Sequence, residues 1–560
     1  MKYFNKTTVL LILILLLAAF FRLYRINEYM EFLGDEGRDV IVARDIIHGQ
    51  FTLLGPRSSA GDFYMGPFYY YLIAPFLLFA NFDPVGPAIM VALFGVLSVF
   101  LIYYVGKKLF NLETALFAAA LYSVSPLVLA YSHSSWNPDI LPFFSLLLIY
   151  TTYYAVKNQK GWRHYMLIGI ILGLCLQLHY LSLFLAVVIF VYLFIAEFTQ
   201  LNVIARRNDE AIPSSTGLPR SLSVARNDKK SRKRLEGGRL QQSGSHDSFK
   251  VVEVLKKYLI ITVGAIISLS PFILFEFRHD FLNTRGILVF LFGNTINHTP
   301  SANFFETQVQ VFFRIFARLI FDFPANIKAV NLPLWQLVIW GGISLILAVA
   351  SIIVLFKQKN KHVSILLSLW LFISVFLFGF YRKEIYDYLF TLIFPLPFLL
   401  VGNLLGYIYG MPKQRPRVLF LAALSLILFG IIFVINLLNS PFRIQANNQR
   451  DQTKKIAEFV ILQTDNKPYN FALLSKGNSD YAYRYYLDIL NRPPVILDNL
   501  ENDPLRKSVT GQLLIVCEDI KCKPIGNPLH DVAAFGQPEI VNEWNVSVVK
   551  VYKLKHYLQK

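Results

Sequence analysis

The hydrophobic and polar positions of this chain form long apolar blocks separated by short polar junctions. A helix needs roughly 20 apolar residues to cross the hydrocarbon core of a bilayer, and we count about eleven such blocks. They lie near residues 7–24, 85–106, 112–131, 139–156, 165–178, 180–198, 258–277, 334–356, 363–380, 388–409 and 418–438. The pattern predicts a multi-pass α-helical membrane protein. The apolar segment 66–80 is shorter and contains two prolines, so we interpret it as an interfacial helix and not as a span.

The charged residues predict the orientation. The first block follows Lys2 and Lys6 and lacks a clean cleavage site, so we expect an uncleaved anchor with a cytoplasmic N-terminus. Every second junction should then be cytoplasmic, and those junctions hold the basic clusters: Lys107 and Lys108, Lys157 to Arg163, the loop 199–257, Lys357 to Lys361, and Lys413 to Arg417. The opposite junctions hold acids, histidines and aromatic residues. We therefore expect a protein of the cytoplasmic membrane with these polar groups on its outer face.

Composition agrees with this interpretation. Charged residues make up 16% of the chain and hydrophobic residues 55%, whereas a soluble domain usually has about 25% charged residues. The net charge of +18, from 54 Lys+Arg and 36 Asp+Glu, could indicate nucleic-acid binding. Because the basic residues lie at the predicted cytoplasmic junctions, we expect membrane lipids as partners and no nucleic acid.

The composition changes near residue 440. We predict a membrane module over residues 1–440 and a small extracytoplasmic α/β domain over residues 441–560. The apolar runs NFALLS, PPVILD, QLLIVCE and SVVKVYKL indicate its strands, and amphipathic patterns near 451–463 and 479–490 indicate helices. An oxidising exterior permits a disulfide between Cys517 and Cys522, but the sequence leaves free thiols equally open. Tyr481, Tyr483, Tyr485 and Tyr486 are predicted to pack, with sugar stacking as the alternative.

The stretch 201–248 is a long polar interruption, rich in Arg, Ser, Gly and Asp. Such a composition cannot bury a core, and we predict a disordered cytoplasmic insertion that catalysis does not need. Basic residues beside a bilayer can also recruit anionic lipids or a partner, which leaves a regulatory role open.

Gly34 to Asp39 (GDEGRD) lies in the first predicted outer loop. Three acids and an arginine are costly near a bilayer unless they are solvated or used, and a solvated loop would explain the motif if it stood alone. Further polar and aromatic segments follow at the predicted outer junctions: GDFYMGPFYYYLIAPF from residue 61, SVSPLVLAYSHSSWNPDILPFFSL from 123, LQLHYLSL from 176, SPFILFEFRHDFLNTRG from 270 and EIYDYLFTLIFPLP from 384.

This order of motifs resembles the GT-C membrane glycosyltransferases, in particular the bacterial relatives of the protein O-mannosyltransferases and of the lipid A aminoarabinose transferase. The resemblance covers residues 1–440 apart from the polar insertion. It implies a GT-C fold and the transfer of a sugar from a polyprenyl-phosphate donor to a glycan, lipid or protein acceptor at the outer face of the membrane. In that family the Asp of an Asp-Glu pair after the first helix is the catalytic base.

By position, that pair is Asp35 and Glu36. One carboxylate is enough for direct displacement with inversion, so we assign the base to Asp35 and expect Glu36 to position it or the sugar. Adjacent side chains reach one pocket only where the backbone turns, which Gly34 and Gly37 allow.

The phosphate that leaves needs compensating positive charge. We predict that Arg382, Lys383 and Arg57 bind it; the other outer candidates are Arg278 and Arg314, and snorkelling at the membrane surface is the alternative. No cofactor is expected and no structural metal site is evident. A divalent ion at the Asp-Glu pair, as in oligosaccharide-transferring relatives, is not favoured.

Polar and aromatic residues of the outer junctions are the candidates for contact with sugar or acceptor. They are Tyr64, Trp136, Asn137, Asp139, His179, Glu276 and His279. Structural alternatives exist: Trp136 could anchor at the interface, Asn137 could cap a helix, and His179 could bond a neighbouring helix.

A transporter or lipid flippase for envelope precursors is the alternative function. It would place charged residues in the middle of several spans or show inverted repeats, whereas the acids here lie at the predicted outer ends of the spans. A non-enzymatic assembly partner is a third possibility that the sequence leaves open.

Overall fold

The chain folds into a bundle of helices followed by a small sheet. The structure is a computed structural model and describes residues 5–58, 61–210, 251–292, 303–323, 333–381, 384–411, 416–519 and 521–557. Its helices are α1 (Lys6–Leu23), α2 (Ile26–Tyr29), α3 (Gly34–Ile47), α4 (Phe68–Phe79), α5 (Val85–Leu109), α6 (Leu112–Val124), α7 (Pro126–Ala130), α8 (Leu141–Lys157), α9 (Trp162–Leu178), α10 (Leu183–Glu210), α11 (Val251–Ser268), α12 (Ser270–Arg278), α13 (Leu282–Phe292), α14 (Phe304–Phe313), α15 (Leu319–Phe321), α16 (Leu334–Phe356), α17 (Lys361–Phe378), α18 (Pro395–Tyr409), α19 (Pro416–Leu438), α20 (Gln449–Leu462), α21 (Tyr481–Ile489) and α22 (His530–Ala533).

All the predicted apolar blocks are helical within these residues. Seven helices of the described chain are long and apolar enough to cross a membrane, or nine if each of two bent helix pairs is one span. The two remaining blocks form the shorter helices α6 and α9. The multi-pass helical prediction is confirmed, whereas the count of about eleven spans is not.

The predicted span 112–131 is divided because Pro126 cannot continue a helix. Helix α6 therefore ends at Val124, and α7 starts with that proline. The carbonyl groups freed at the break accept hydrogen bonds from the buried guanidinium of Arg22: Nη1 donates to the Ser123 carbonyl oxygen at 3.1 Å and Nη2 to that of Tyr122 at 3.4 Å. The backbone carbonyl groups at the break are thus hydrogen-bonded within the bundle.

Two other spans are bent. Helices α11 and α12 meet at 72°, at a Ser-Pro step, and the 3₁₀ helix Asp387–Ile393 meets α18 at 58°, where Pro395 opens α18. Helix α4 covers 12 residues, about 18 Å of rise, which is too short to span a bilayer. It agrees with the prediction of a short helix over 66–80, and it packs between α3 and α5.

The C-terminal sheet has four strands in the order β1-β2-β4-β3: β1 (Asn470–Leu474), β2 (Gln512–Cys517), β3 (Pro538–Val546) and β4 (Val549–His556). The β1/β2 pair is parallel, and β4 runs antiparallel to both of its neighbours. Three of the four predicted apolar runs form strands. The run PPVILD forms none, because its two prolines cannot donate ladder hydrogen bonds.

Several sequence predictions for this C-terminal part have clear outcomes. Helices α20 and α21 form where the amphipathic patterns indicated them. Tyr483, Tyr485 and Tyr486 are buried while Tyr481 is exposed, as packing requires. Cys517 and Cys522 are joined by a disulfide. The boundary near residue 440 stays a prediction, and of the predicted insertion only 201–210 is described, as part of α10.

The C-terminal part lies against the membrane helices. Helix α21 packs along α3, and the Tyr485 hydroxyl donates to the Phe82 carbonyl oxygen. Arg44 of α3 forms an ion pair with Asp488 of α21. Arg450 at the start of α20 contacts Asp83 at 3.2 Å. These contacts place the sheet beside the loops that the sequence assigns to the outer face.

Candidate active site

The site is organised around the first turn of α3. Glu36 sits three residues after Leu33, the residue that precedes the helix, and its Oε2 accepts a hydrogen bond from the Leu33 N–H at 3.0 Å. This is the backward half of a capping box. Asp35 and Glu36 also lie where the helix dipole favours negative charge, so the acidic start is itself a reason for a helix to begin here.

Both oxygens of Glu36 are used within the protein. Its Oε1 accepts a hydrogen bond from the Ser134 hydroxyl at 2.9 Å, and the side chain is buried. Burial raises the pKa of this carboxyl above its ordinary value, while its hydrogen bonds act in the opposite direction. Glu36 therefore joins the α3 terminus to the loop before α8, a positioning role consistent with the sequence prediction.

Asp35 has the opposite environment. Its side chain is 53% exposed, and its Oδ1 accepts a hydrogen bond from Arg38 Nη1 at 2.7 Å. Its Oδ2 has no hydrogen-bond donor within the described part of the chain. Of the adjacent pair, Asp35 is thus the carboxylate with an oxygen available to a substrate.

Arg38 connects Asp35 to a further acid, Asp39, which the sequence analysis did not assign to the site. Arg38 donates to Asp39 Oδ1 through Nε at 2.9 Å and Nη2 at 2.7 Å. Asp39 is fully buried, and its Oδ2 is unpartnered among the described residues. Burial raises the pKa of Asp39 to about 7, with Arg38 opposing the shift.

The two glycines of the motif serve a purpose that the sequence did not reveal. Both lie inside α3 and neither has a positive φ, so neither makes a turn. A Cβ on Gly34 would lie 1.9 Å from Ser479 Oγ, and one on Gly37 would lie 2.2 Å from the Ala482 nitrogen. Glycine is required here because the C-terminal part touches the helix backbone.

Asp139 lies in the 3₁₀ helix Asn137–Ile140, directly before α8. It interacts electrostatically with Glu36. Both of its carboxylate oxygens are buried and have no hydrogen-bond partner in the described structure. Trp136 stands three residues earlier, with its ring centroid 4.5 Å from that of Tyr388. A carboxylate without a partner therefore lies close to an aromatic surface.

Asn137 and His179 lie beside Trp136 and Tyr388. The Asn137 amide donates to the Leu178 carbonyl oxygen at the end of α9, which is a structural bond. The His179 ring stacks on Tyr180, with ring centroids 4.5 Å apart, and meets Tyr388 at 5.9 Å. Burial lowers the pKa of His179 to about 3, so the imidazole is neutral. Its ring contacts the rings of Tyr180 and Tyr388.

Tyr64 and Glu276 form a separate cluster. The Glu276 carboxylate accepts from the Asn283 N–H at 3.0 Å, the Thr284 N–H at 2.8 Å and the Thr284 hydroxyl at 2.6 Å. Glu276 thus ties the end of α12 to the first turn of α13. Asn283 Oδ1 in turn accepts from the Tyr64 N–H at 2.8 Å.

The other candidates of this region point to solvent. His279 is exposed and stacks on Phe275. Arg57 is 60% exposed and pairs with Asp62 at 2.8 Å. The structure therefore gathers Asp35, Glu36, Trp136, Asp139 and His179 in one place. The other candidates, Arg57, Tyr64, Glu276 and His279, belong to a neighbouring region. The two regions meet where Phe63 contacts Tyr180, with ring centroids 5.8 Å apart.

A cationic pair lies on the far side of Tyr388. The π-helical turn Arg314–Arg318 carries an arginine at each end, and both contact Asp387: Arg314 Nη1 at 3.4 Å from Oδ1, and Arg318 through Nε. Tyr131 interacts electrostatically with Arg318 and Asp139, which links the two sides of the site. π-Helical turns occur frequently at functional sites.

The sequence analysis named Arg314 and missed Arg318, although a spacing of four residues on a helix was a usable signal. The predicted phosphate ligands Arg382 and Lys383 lie outside the described residues. Within the part of the chain that is described, no group of three or more His, Cys, Asp or Glu side chains is placed to hold a metal ion.

Comparisons with known proteins bear on this arrangement. The family model of the dolichyl-phosphate-mannose-protein mannosyltransferases matches residues 65–206. No curated protein matches the chain. Among solved structures, ArnT from Cupriavidus metallidurans bound to undecaprenyl phosphate matches with a TM-score of 0.56 and 12% identity, over 97% of each chain. Its apo form matches with a TM-score of 0.52 and 12% identity over the same shares.

A second protein shares the fold over a smaller part of its own length. The archaeal oligosaccharyltransferase AglB from Archaeoglobus fulgidus, in complex with an inhibitory peptide and a dolichol-phosphate, matches with a TM-score of 0.50 and 13% identity. The match covers 91% of this chain and 69% of that chain. The chain has the GT-C fold.

The predicted resemblance to GT-C membrane glycosyltransferases is confirmed by the family model and the shared fold. The family model covers Trp136, Asp139 and His179 of this GT-C chain, whereas Asp35 precedes the matched region. The structural likeness extends through the C-terminal sheet.

Proposed function

We propose that this GT-C chain transfers one sugar from a polyprenyl-phosphate carrier to a hydroxyl of a glycan, lipid or protein acceptor at the outer face of the cytoplasmic membrane. The observation that carries the proposal is the carboxylate of Asp35, half-exposed at the start of a helix that is not itself a span. ArnT binds undecaprenyl phosphate and AglB a dolichol-phosphate in their solved structures, which supports a lipid-linked donor for this chain.

Asp35 acts as the general base. Its free Oδ2 takes the proton of the acceptor hydroxyl, the acceptor oxygen attacks the anomeric carbon, and the bond from that carbon to the phosphate oxygen breaks. The polyprenyl phosphate leaves with the bonding electrons, and the sugar changes its anomeric configuration once. Arg38 holds Oδ1 of Asp35 at 2.7 Å and so orients the other oxygen toward the acceptor.

Arg314 and Arg318 supply the positive charge for the phosphate that leaves. Both contact Asp387, and Asp322 also interacts electrostatically with Arg318; the arginine side chains are 18% and 21% exposed. A planar guanidinium can clamp two phosphate oxygens at once. Arg314 and Arg318 are thus proposed in addition to the predicted phosphate-binding residues Arg57, Arg382 and Lys383.

Asp139 and the Trp136–Tyr388 pair hold the sugar between base and phosphate. The two oxygens of Asp139 have no donor within the described chain, and sugar hydroxyls are the donors that such a group needs. Aromatic faces beside it suit the apolar side of a sugar ring.

The test is the Asp35→Asn variant, purified and supplied with membrane lipids and surface glycans as sources of donor and acceptor. Loss of the basic oxygen should lower polyprenyl-phosphate release by about 10²-fold or more, measured by mass spectrometry. The matched control is Asp45→Asn, on the same helix but 34% exposed and paired with Arg44, which should keep its activity. Near-normal release by a correctly inserted Asp35→Asn protein would refute the assignment.

A further inference from the structure

The N-terminus of α3 is bonded by the C-terminal part of the chain. The first N–H groups of a helix have no partner inside it, and the Gly34 N–H donates to Asn478 Oδ1 at 2.8 Å. Asn478 lies 444 residues further along the chain. Since Gly34 directly precedes Asp35, this bond acts on the backbone of the proposed base.

Asn478 is held in place by its own partners. Its Nδ2 donates to the Glu518 carboxylate at 3.0 and 3.2 Å, and the Tyr483 hydroxyl donates to Glu518 Oε1 at 2.8 Å. Asn478 Oδ1 also accepts from the Ser479 N–H at 2.9 Å. A bond of this kind orients the amide, so its oxygen and not its nitrogen faces α3.

The network is anchored in the sheet. Glu518 follows the last residue of β2, and its N–H donates to the Leu474 carbonyl oxygen of β1 at 3.0 Å. The preceding Cys517 is disulfide-bonded to Cys522. Asn478 itself lies in the loop between β1 and α21, and its bonds to Glu518 tie that loop to the sheet.

The same surface leaves α3 no room to shift toward it. Both motif glycines touch the segment Ser479 to Ala482 so closely that a Cβ would overlap it. A hydrogen bond at the first turn and backbone contact along the next turn together fix the place and the tilt of this end of the helix.

We propose that Asn478 is a positioning residue for Asp35, and that the C-terminal part sets the geometry of the base through the Gly34–Asn478–Glu518 chain of hydrogen bonds. The inference rests on the proposed role of Asp35. It separates two functions: Asp139, Arg314 and Arg318 lie before residue 440 and serve the donor, while the C-terminal part aligns the base. A misplacement of about 1 Å can cost 10²-fold in rate, so the effect should fall on kcat and leave the donor KM unchanged.

Three variants of the full chain test this. Asn478→Ala removes the acceptor of the Gly34 N–H and should lower kcat about 10-fold or more at constant donor KM. Asn478→Asp keeps that acceptor but faces the Glu518 carboxylate, and should also lose activity. Adding Glu518→Gln to Asn478→Asp restores a donor and acceptor pair with the roles exchanged, so kcat should recover. The control is Asn499→Ala, at an exposed position of the same part.

Hydrogen–deuterium exchange of the segment 31–42 gives a second readout that needs no substrate. Exchange should be faster in Asn478→Ala and return to the original rate in the double variant. Unchanged exchange in Asn478→Ala, faster exchange with unchanged kcat, or a rise in donor KM alone would each overturn the proposal. Failure of Asp35 as base would appear separately, as activity retained by Asp35→Asn while the exchange results stand.

Discussion

Two groups of carboxylates lie near helix ends, and they differ in how their oxygens are satisfied. Glu276 accepts three hydrogen bonds from the first turn of α13. Asp35 and Asp39 each have one oxygen without a donor, and Asp139 has two, within the described residues. Glu276 has a structural role, whereas the carboxylates of the other group can still accept hydrogen bonds from a ligand.

The difference matters for the buried oxygens of Asp39 and Asp139, because an unsatisfied buried polar group costs about 1–3 kcal/mol. Water can donate to the half-exposed Asp35, so its free oxygen carries no such cost. A group that is kept at such a cost is explained if a substrate supplies the missing partner. Both groups look alike in the sequence, as acids at the ends of apolar blocks. The hydrogen-bond partners of each oxygen distinguish the candidate catalytic carboxylates from Glu276, which caps the start of α13.

Beyond the proposed base, the largest expected effect on turnover comes from Asp139→Asn. Replacing this carboxyl, whose oxygens have no hydrogen-bond partner in the described chain, should lower kcat/KM by about 10-fold, since one hydrogen bond to a substrate is worth about 0.5–1.5 kcal/mol. The thermal midpoint in detergent should stay about the same, because the described chain makes no hydrogen bond to the oxygens that are replaced. Turnover and melting are measured on the same preparation. A lower melting midpoint with normal turnover would show that Asp139 has a structural role, as Glu276 has.

Much of the fold could be predicted from the sequence because apolar length and period are local properties. Blocks such as 85–106 and 334–356 became α5 and α16 within a few residues. The span count failed where length alone is not enough. Pro126 ends α6 and Pro395 opens α18 after a bend, and the partner that makes the first break tolerable, Arg22, lies about 100 residues away.

The site was predictable only in part. The GDEGRD motif and the Trp136–Asp139 segment are visible as local clusters, and the structure brings them together. The different roles of Asp35 and Glu36 stay a prediction. The reason for Gly34 and Gly37 was not predictable, because their neighbours come from the C-terminal part. The spacing of Arg314 and Arg318 was visible in the sequence, but their shared partner Asp387, about 70 residues further along the chain, was not.

A smaller effect is expected at Glu276, and it should be on stability. Glu276→Gln turns one acceptor oxygen into an NH₂ group that faces N–H donors, which should cost about 2 kcal/mol. The kcat of the folded protein should stay within about twofold. Glu306→Gln, at an exposed acid in the first turn of α14, is the control for the chemistry of the substitution. A kcat loss at Glu276 without loss of stability would move it into the active site.

The smallest effect concerns Asp39 and pH. Burial raises the pKa of this carboxyl to about 7, from an ordinary value of 3.8. Between these values the folded protein keeps a proton that the unfolded chain loses, so this group lowers stability as pH rises from about 4 to 7. Asp39→Asn removes the dependence. Its stability relative to the original protein should therefore be about 1 kcal/mol higher at pH 8 than at pH 5, less than the full shift would give, because Arg38 is partly exposed and solvent screens the pair.

The measurement is the melting midpoint of both proteins in one detergent across that range. The comparison depends on the slope with pH and not on the absolute midpoint, so any change in packing caused by the amide cancels. Parallel curves for the two proteins would show that Asp39 is ionised throughout and satisfied by Arg38 alone. Asp39 would then belong with Glu276, and the unsatisfied group would contain only Asp35 and Asp139.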